Sequence, residues 1–281
     1  MADGKCEMVQ VPDLPEKVVK ERKKTLKKEQ LKQYWFVIKE LTGRELKRKY
    51  SRSYLGVLWS VLNPLLSMAV MSAIFSMMFQ RSIENFPIYY LTGSIIWSLF
   101  TGATNAAMTS LVDNKQLLIK VKLPMQVFTL SRVYTSLANF GYSFVAYVVF
   151  LFIFKIPLNW TMLVLIPIVA LTLLFATGLS LFLASAYVFF GDIKHLYGIL
   201  LTLWMYISAL FYPVTALSET MQAVVRENPM YCYIAAAREC MMYGKLPDAG
   251  LWIRMIVWAV VIFTFGQLFF QSKKNNIMQK V

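Results

Sequence analysis

Asp192 and His195 stand three residues apart in the segment Gly191-Asp192-Ile193-Lys194-His195, and His195 is the only histidine in the chain. An acid and an imidazole at this spacing could share a proton. Catalysis, however, needs a third group to orient them or a nucleophile to serve, and no other polar residue joins them. An aspartate capping the next helix beside a solvated histidine is the simpler reading. Glu219, Glu227 and Glu239 are dispersed along the sequence and read as solvated. Cys6, Cys232 and Cys240 form neither a metal-binding spacing nor a disulfide framework and read as small apolar fillers with one exposed thiol. No G-x-x-x-x-G-K-[ST] run occurs anywhere, so the chain has no phosphate loop with which to bind and hydrolyse ATP. The expectation is no catalytic site, no metal and no cofactor in this chain.

The elements around these residues explain the poverty of reactive groups. Of 281 residues, 58% are hydrophobic and 16% charged, with a mean hydropathy of +0.53. A soluble domain carries about 25% charged residues. Stretches 57–79, 87–112, 133–154, 160–190 and 196–218 hold no Asp, Glu, Lys or Arg. About 20 apolar residues cross a hydrocarbon core of roughly 30 Å, so a soluble enzyme is excluded. No span carries a central carboxylate, lysine or histidine, which argues against proton coupling through the bilayer.

The formal net charge is +14, and 15 of the 29 basic residues precede position 57. Because basic residues flank apolar spans, they read as orientation signals rather than a nucleic-acid face. Residues 1–52 contain no apolar signal-peptide core, which leaves them as a cytoplasmic basic arm. Within that arm Leu31, Tyr34, Trp35, Ile38 and Leu41 make one helical stripe, with Gly43 ending the run. A helix with aromatic anchors and flanking lysines suits the headgroup plane; packing only on another protein is the alternative.

Residues 53–281 are expected to be an all-α integral membrane domain of six spans. These run about 57–79, 88–110, 127–154, 160–190, 196–212 and 251–270. An even number of spans returns both termini to one side. With the N-terminus inside, 23 of the 29 basic residues fall on inner segments. The outer segment 213–250 is long and half apolar, and Asn228-Pro229 divides it into Ala216–Val225 and Met230–Tyr243. Two short re-entrant or interfacial helices are expected there. A multi-pass protein with a basic arm, no energy source and no chemistry reads as part of a transporter that draws energy from a partner.

Four stretches carry a resemblance to a known family. KRKYSRSYLGVLWSVLNPLL (47–66) resembles the approach to the first span of ABC-2 type exporter permeases, specifically those exporting O-antigen, teichoic acid and capsule-type polysaccharides. VKLPMQVFTLS (121–131) is similar to their inner loop before the third span. GDIKHLYGILLTLWMYISALFYPV (191–214) is similar to their fourth loop and fifth span, and ENPMYCYIAAARECMMYG (227–244) to their outer helix. The order and spacing fit residues 30–280.

The resemblance implies a homodimer in the bacterial plasma membrane, with both termini cytoplasmic and membrane lipids around it. It further implies two copies of a separate ATPase that bind ATP and Mg, and export of an undecaprenyl-diphosphate-linked glycan. An ABC-2 permease for a drug or another lipid, a membrane-bound glycan-modifying enzyme, and a structural anchor are the alternatives.

The family likeness gives several residue sets a candidate role. The interface helix, with Tyr34 and Trp35, would couple to the ATPase together with Asn114, Lys115, Leu117 and Leu118 of the inner loop 113–122; a membrane-hugging loop is the alternative. Arg44, Lys47, Arg48, Lys49 and Arg52 would either hold anionic lipid at about 1 kcal/mol per charge or guide the pyrophosphate of a lipid carrier. In the fifth span Tyr197, Leu201, Trp204, Ser208 and Phe211 recur on one helical face, and Met68, Ser72, Phe75 and Phe79 do so in the first. Aromatic rings offer flat apolar faces to sugar C–H groups, so these stripes are candidates for a glycan path, a packed or lipid-facing stripe being the other reading. Tyr89, Tyr90 and Trp97 suit an outer aromatic belt.

Overall fold

A computed structural model describes the backbone of residues 16–51, 56–79, 83, 85–120 and 123–280, and side chains from residue 29 onward apart from 50, 57, 60 and 76–79. The described residues form helices and connections only. In chain order these are α1 (Glu16–Tyr50), α2 (Trp59–Phe79), α3 (Phe86–Met108), α4 (Ser110–Asp113), α5 (Lys115–Lys120), α6 (Gln126–Ile153), α7 (Leu165–Phe189), α8 (Ile193–Ile207), α9 (Glu219–Glu227), α10 (Pro229–Met241) and α11 (Ala249–Lys280). Tight helical turns at Gly56–Leu58, Trp160–Val164 and Val214–Ala216 precede α2, α7 and α9.

Among the described residues, three segments are long and apolar enough to cross a membrane: Gln126–Ile153, Trp160–Phe189 and Ala249–Lys280. Shorter apolar stretches cover Val61–Phe75 and Ile193–Ile207. α8 has only 15 residues, about 22 Å at 1.5 Å per residue, short of the roughly 30 Å of hydrocarbon. The expected fifth span thus stops five residues early. Its last turn closes where Ser208 Oγ donates to the Trp204 carbonyl at 2.7 Å, and Ala209 follows with φ +49°, a left-handed conformation that no helix continues through.

Two other boundaries also move. Gly43, the expected stop, lies inside an unbroken α1 of 35 residues. One interior glycine costs about 1 kcal/mol against alanine, and burial of Leu41, Thr42 and Glu45 on either side outweighs that. α11 runs ten residues past the expected end of the sixth span because Phe270 and Ile277, 1% and 0% exposed, hold its final turns against the bundle.

α3 is the axle of the fold. It packs on α2, α6, α7 and α10, and Ile88, Ile96, Phe100, Ala103 and Ala107 are fully buried along it. α7 lies along α11 at very short range. A Cβ added at Gly266 would stand 1.9 Å from the Gly178 carbonyl oxygen, and one at Gly178 would stand 2.4 Å from the backbone of Ile262 and Phe263. Only glycine on both helices permits this crossing. The large core joins α2, α3, α6, α7, α8, α10 and α11. A second, smaller core gathers Leu41, Leu111, Leu118, Phe128, Leu181, Phe270 and Ile277, so α1, α4, α5 and the ends of α7 and α11 share one end of the bundle. Around the outside, Leu66, Val70, Val145, Val149, Ile199, Leu203, Val261 and Leu268 are all more than 45% exposed, an apolar surface too extensive for contact with water.

The segment 213–250, expected on the outer side, yields two short helices, as its Asn-Pro break suggests, and they differ in kind. α9 is largely exposed, whereas α10 is buried along most of its length, from Met230 to Met241.

Candidate functional site

At the end of the bundle where α1 crosses α6, five charged side chains converge, Arg44, Glu45, Arg48, Asp113 and Arg132. Arg132, in the second turn of α6, donates to Glu45 of α1 in a short ion pair and to Asp113 of α4 at 3.2 Å. Arg48 reaches the same Glu45 carboxylate at 3.3 Å. Thr109 Oγ donates to Asp113 at 2.8 Å. Arg44 Nη2 donates to Asn114 Oδ1 at 2.8 Å, and Asn114 Nδ2 donates on to the Ser110 carbonyl at 2.8 Å. Thr42 Oγ donates to the Ser131 carbonyl at 3.2 Å. Glu45, Arg132, Asn114 and Thr42 are all buried. A buried pair of this kind holds position strongly, since removing one partner strands the other charge.

This arrangement places the expected coupling and pyrophosphate residues. Asn114 and Leu118 face inward, Asn114 onto Arg44 and Leu118 into the smaller core, so neither is presented to a partner. Lys115 is exposed, Leu117 half-buried and Ile119 70% exposed. Leu117 closes one side of a groove of about 540 Å³ whose other wall is α1, from Phe36 to Lys47. Tyr34 is half-buried, and Trp35 packs edge-on against Tyr134 of α6 with centroids 5.2 Å apart. Of the basic cluster, Arg44 and Arg48 are drawn toward Glu45 and Asn114, while Lys47 and Lys49 are exposed. Lys49 stands at a groove of about 190 Å³ between α2, α3 and α6, with Asn63, Ser98, Ser136, Asn139 and Ser143 on its walls. Arg52 lies outside the described residues, as does Cys6.

The fifth-span aromatic face turns inward. Tyr197, Ser208 and Phe211 are buried and Trp204 is half-buried. Tyr197 donates to Thr104 Oγ at 2.7 Å. Trp204 meets Phe100 and Phe175 edge-on, with centroids at 5.3 and 6.2 Å. Phe211 stacks between Phe75 and Tyr90 at 6.1 and 5.9 Å. As packed, the stripe is interior to the subunit. Of the first-span stripe, Met68 is buried and Phe75 half-buried; the Phe79 side chain is outside the described set.

Two polar residues organise that region, and the sequence reading assigned neither a role in it. Asn228 uses its whole amide: Oδ1 accepts from Trp204 Nε1 at 2.8 Å and from the Met230 amide at 3.0 Å, while Nδ2 donates to the Ile207 carbonyl and to Ser208 Oγ, both at 3.1 Å. It caps α10 and fastens it to the broken end of α8. Arg238 is 4% exposed and donates to the carbonyls of Tyr89, Ala209 and Leu210 at 3.0–3.2 Å, with its guanidinium 3.4 Å from the Tyr89 ring centroid. The Ala209 and Leu210 carbonyls belong to the chain just past the end of α8, where helical partners run out, and the Tyr89 carbonyl lies in the first turn of α3. Tyr89, expected in an outer belt, is buried beneath this arginine, and Tyr90 and Trp97 are buried as well.

Asp192 occupies the N-cap position of α8 as expected, although its side chain accepts no capping bond. His195 is exposed. Glu227 pairs with Arg254 at 3.4 Å. Cys232 and Cys240 are both fully buried, so the expected exposed thiol is neither of them. Among the described residues no group of three or more His, Cys, Asp or Glu could hold a metal ion.

The comparisons agree with this architecture. Residues 37–242 match the profile of the ABC-2 type transporter family. The chain is 29% identical to the O-antigen export system permease protein RfbA of Myxococcus xanthus over 254 residues, covering 90% of this chain and 98% of the relative. It is 28% identical over 207 residues to the protein of the same name from Klebsiella pneumoniae, covering 73% of this chain and 80% of that one. The polysialic acid transport protein KpsM of Escherichia coli is 18% identical over 253 residues, 86% of this chain and 95% of the relative.

Proposed function

The chain belongs to the ABC-2 type transporter family, and from that premise we propose that it is the membrane subunit of an ATP-driven polysaccharide exporter. It works as a homodimer with two copies of a separate ATPase, which bind ATP and Mg. The cargo is a glycan carried on undecaprenyl diphosphate, of the O-antigen or teichoic acid kind, moved outward across the bacterial plasma membrane. In this reading the six expected spans cross the bilayer, both termini are cytoplasmic, and α9 and α10 form the re-entrant pair on the outer side.

The observation that carries the proposal is the near full-length match to O-antigen export permeases. The geometry supplies its working parts. The groove between α1 and Leu117 is the docking face for the ATPase, with Lys115 and Ile119 beside it. The knot of Glu45, Arg132 and Asp113 then passes movement of α1 to α4 and α6. Lys47 and Lys49 are placed to guide the carrier pyrophosphate. The groove of Asn63, Ser98 and Asn139 beside Lys49 offers the hydroxyl-matching walls that a sugar chain needs.

The test is reconstitution into vesicles with an ABC ATPase subunit that copurifies with the chain and an undecaprenyl-diphosphate glycan. Glycan should cross in the presence of ATP and stay in place without ATP or without the ATPase. Movement of a drug or simple lipid with no movement of glycan overturns the cargo assignment.

A further inference from the structure

A groove of about 520 Å³ opens between the last turns of α7 and α11, within the size range of small-molecule and lipid sites. Its walls are aromatic: Phe182 and Phe189 are half-buried, and Phe190 is 68% exposed. Phe269 backs the wall with its ring centroid 4.9 Å from that of Phe182. The rim is different in chemistry. Lys273, Asn276 and Lys280 recur at three and four residues, so they stand on one face of α11. Lys280 Nζ lies 5.3 Å from the centroid of the Phe189 ring. No acid is among the residues lining the groove.

This rim is held in place rather than frayed. Ile277, on the opposite side of the same turns, is fully buried in the smaller core with Leu41 and Leu118. Lys273 is also the first charge after the uncharged stretch 255–272 of α11, so it marks the depth at which hydrocarbon gives way to headgroups. An apolar slot below and two cations above, on the end of the bundle shared with the basic α1, is complementary to one amphiphile.

We propose that this groove binds an anionic phospholipid of the adjoining leaflet, with acyl chain against Phe182, Phe189 and Phe190 and phosphate between Lys273 and Lys280. Basic pockets between helices at a membrane face bind anionic headgroups in this way. The site is separate from the grooves assigned to the ATPase and the glycan, and lipid occupancy here would brace α7 against α11 beyond their glycine crossing.

The test is native mass spectrometry of the purified full chain with phosphatidylglycerol or phosphatidylcholine as probe. The wild type should retain phosphatidylglycerol in preference. The pair K273Q/K280Q should lose that preference by about tenfold or more, whereas K32Q/K120Q, which removes equal charge from exposed positions on α1 and α5, should keep it. K273R/K280R should keep it too. Equal retention of the two lipids by the wild type overturns the proposal, as does an equal loss in both glutamine pairs, since that marks diffuse attraction rather than a site. Should K273Q/K280Q fail to accumulate, Lys280→Gln alone, in the exposed last turn, is read in its place by the same criterion.

Discussion

Glu45 and Arg132, 87 positions apart in sequence, meet in a buried ion pair that fixes α1 across the start of α6. Each is 7–8% exposed, so neither charge has water to fall back on. Truncating one partner of such a pair costs about 3–5 kcal/mol, because the other is left charged and buried. Glu45→Gln or Arg132→Leu should therefore lower the melting temperature of the purified protein sharply. The paired change E45L/R132L should recover part of the loss. A double variant whose loss equals the sum of the two single losses would mean that the pair contributes nothing as a pair.

The second prediction concerns Asn228. It is the shared partner of Trp204, the Met230 amide, Ser208 and the Ile207 carbonyl, so Asn228→Ala removes four bonds at once and strands three groups, Ser208 Oγ keeping its bond to the Trp204 carbonyl. Losing a helix cap costs about 1 kcal/mol, and each buried group left unpaired adds about 1–3 kcal/mol. Trp204→Phe removes one of these bonds and keeps most of the ring packing, so it should be milder. Trp204→Ala should cost about 3–5 kcal/mol through the cavity left between Phe100 and Phe175. Thermal melts of the three variants check the ranking; a Trp204→Ala protein as stable as wild type would show that the ring is not packed.

The glycine crossing gives the third. A methyl at position 266 would overlap the Gly178 carbonyl oxygen, and backbone cannot move aside as a side chain can. Gly266→Ala and Gly178→Ala should each reduce accumulation of folded protein, measured by size-exclusion chromatography in detergent. Gly43→Ala is the control: nothing lies within 4 Å of a Cβ there, and alanine favours the helix by about 1 kcal/mol.

Helix existence was legible because apolar runs and their breaks are local facts. The Asn228-Pro229 break before α10 appears where the sequence suggests. Burial was not legible to the same degree. The spacing of Tyr197, Trp204 and Phe211 marks a helical face but leaves open whether that face meets lipid, a path or the core. The answer rests on Thr104, Asn228 and Phe75, which come from three other segments. Arg132 did carry a signal, as a lone charge within the expected third span that calls for a buried counter-charge. Its choice of Glu45 depended on the path of α1 past Gly43, which the local glycine signal concealed. Arg238 looked like one more outer cation, since nothing local reveals that α8 ends early and leaves carbonyls for it to bind.

ATP hydrolysis offers a fourth test. Without a phosphate loop the purified chain should hydrolyse no ATP, and hydrolysis should appear on adding the ATPase subunit. Turnover by the chain alone, surviving further purification, contradicts its assignment as a membrane subunit only.

The last prediction concerns orientation, and the two described cysteines cannot report it. Cys232 and Cys240 are fully buried, so a membrane-impermeant thiol reagent should leave both unmodified in intact cells whichever way the protein faces. Engineered positions do report. Lys245 lies on the connection between α10 and α11 and is exposed; Lys194 is exposed in the first turn of α8, and Lys274 is exposed on the last turns of α11, which pack with α1 in the smaller core. Replacing Cys232 and Cys240 with alanine or serine risks the α10 packing, so each probe is best placed in a Cys6→Ser background that keeps these two buried, silent thiols. With the basic end inside, Lys245→Cys should label in intact cells, while Lys194→Cys and Lys274→Cys should label only after the membrane is opened. The reasoning rests on charge: 23 of 29 basic residues lie on the segments assigned inside, and loops rich in lysine and arginine stay cytoplasmic. The reverse pattern, with Lys194→Cys labelled in sealed cells and Lys245→Cys protected, inverts the topology and moves the ATPase-docking groove to the side of the membrane that has no ATP.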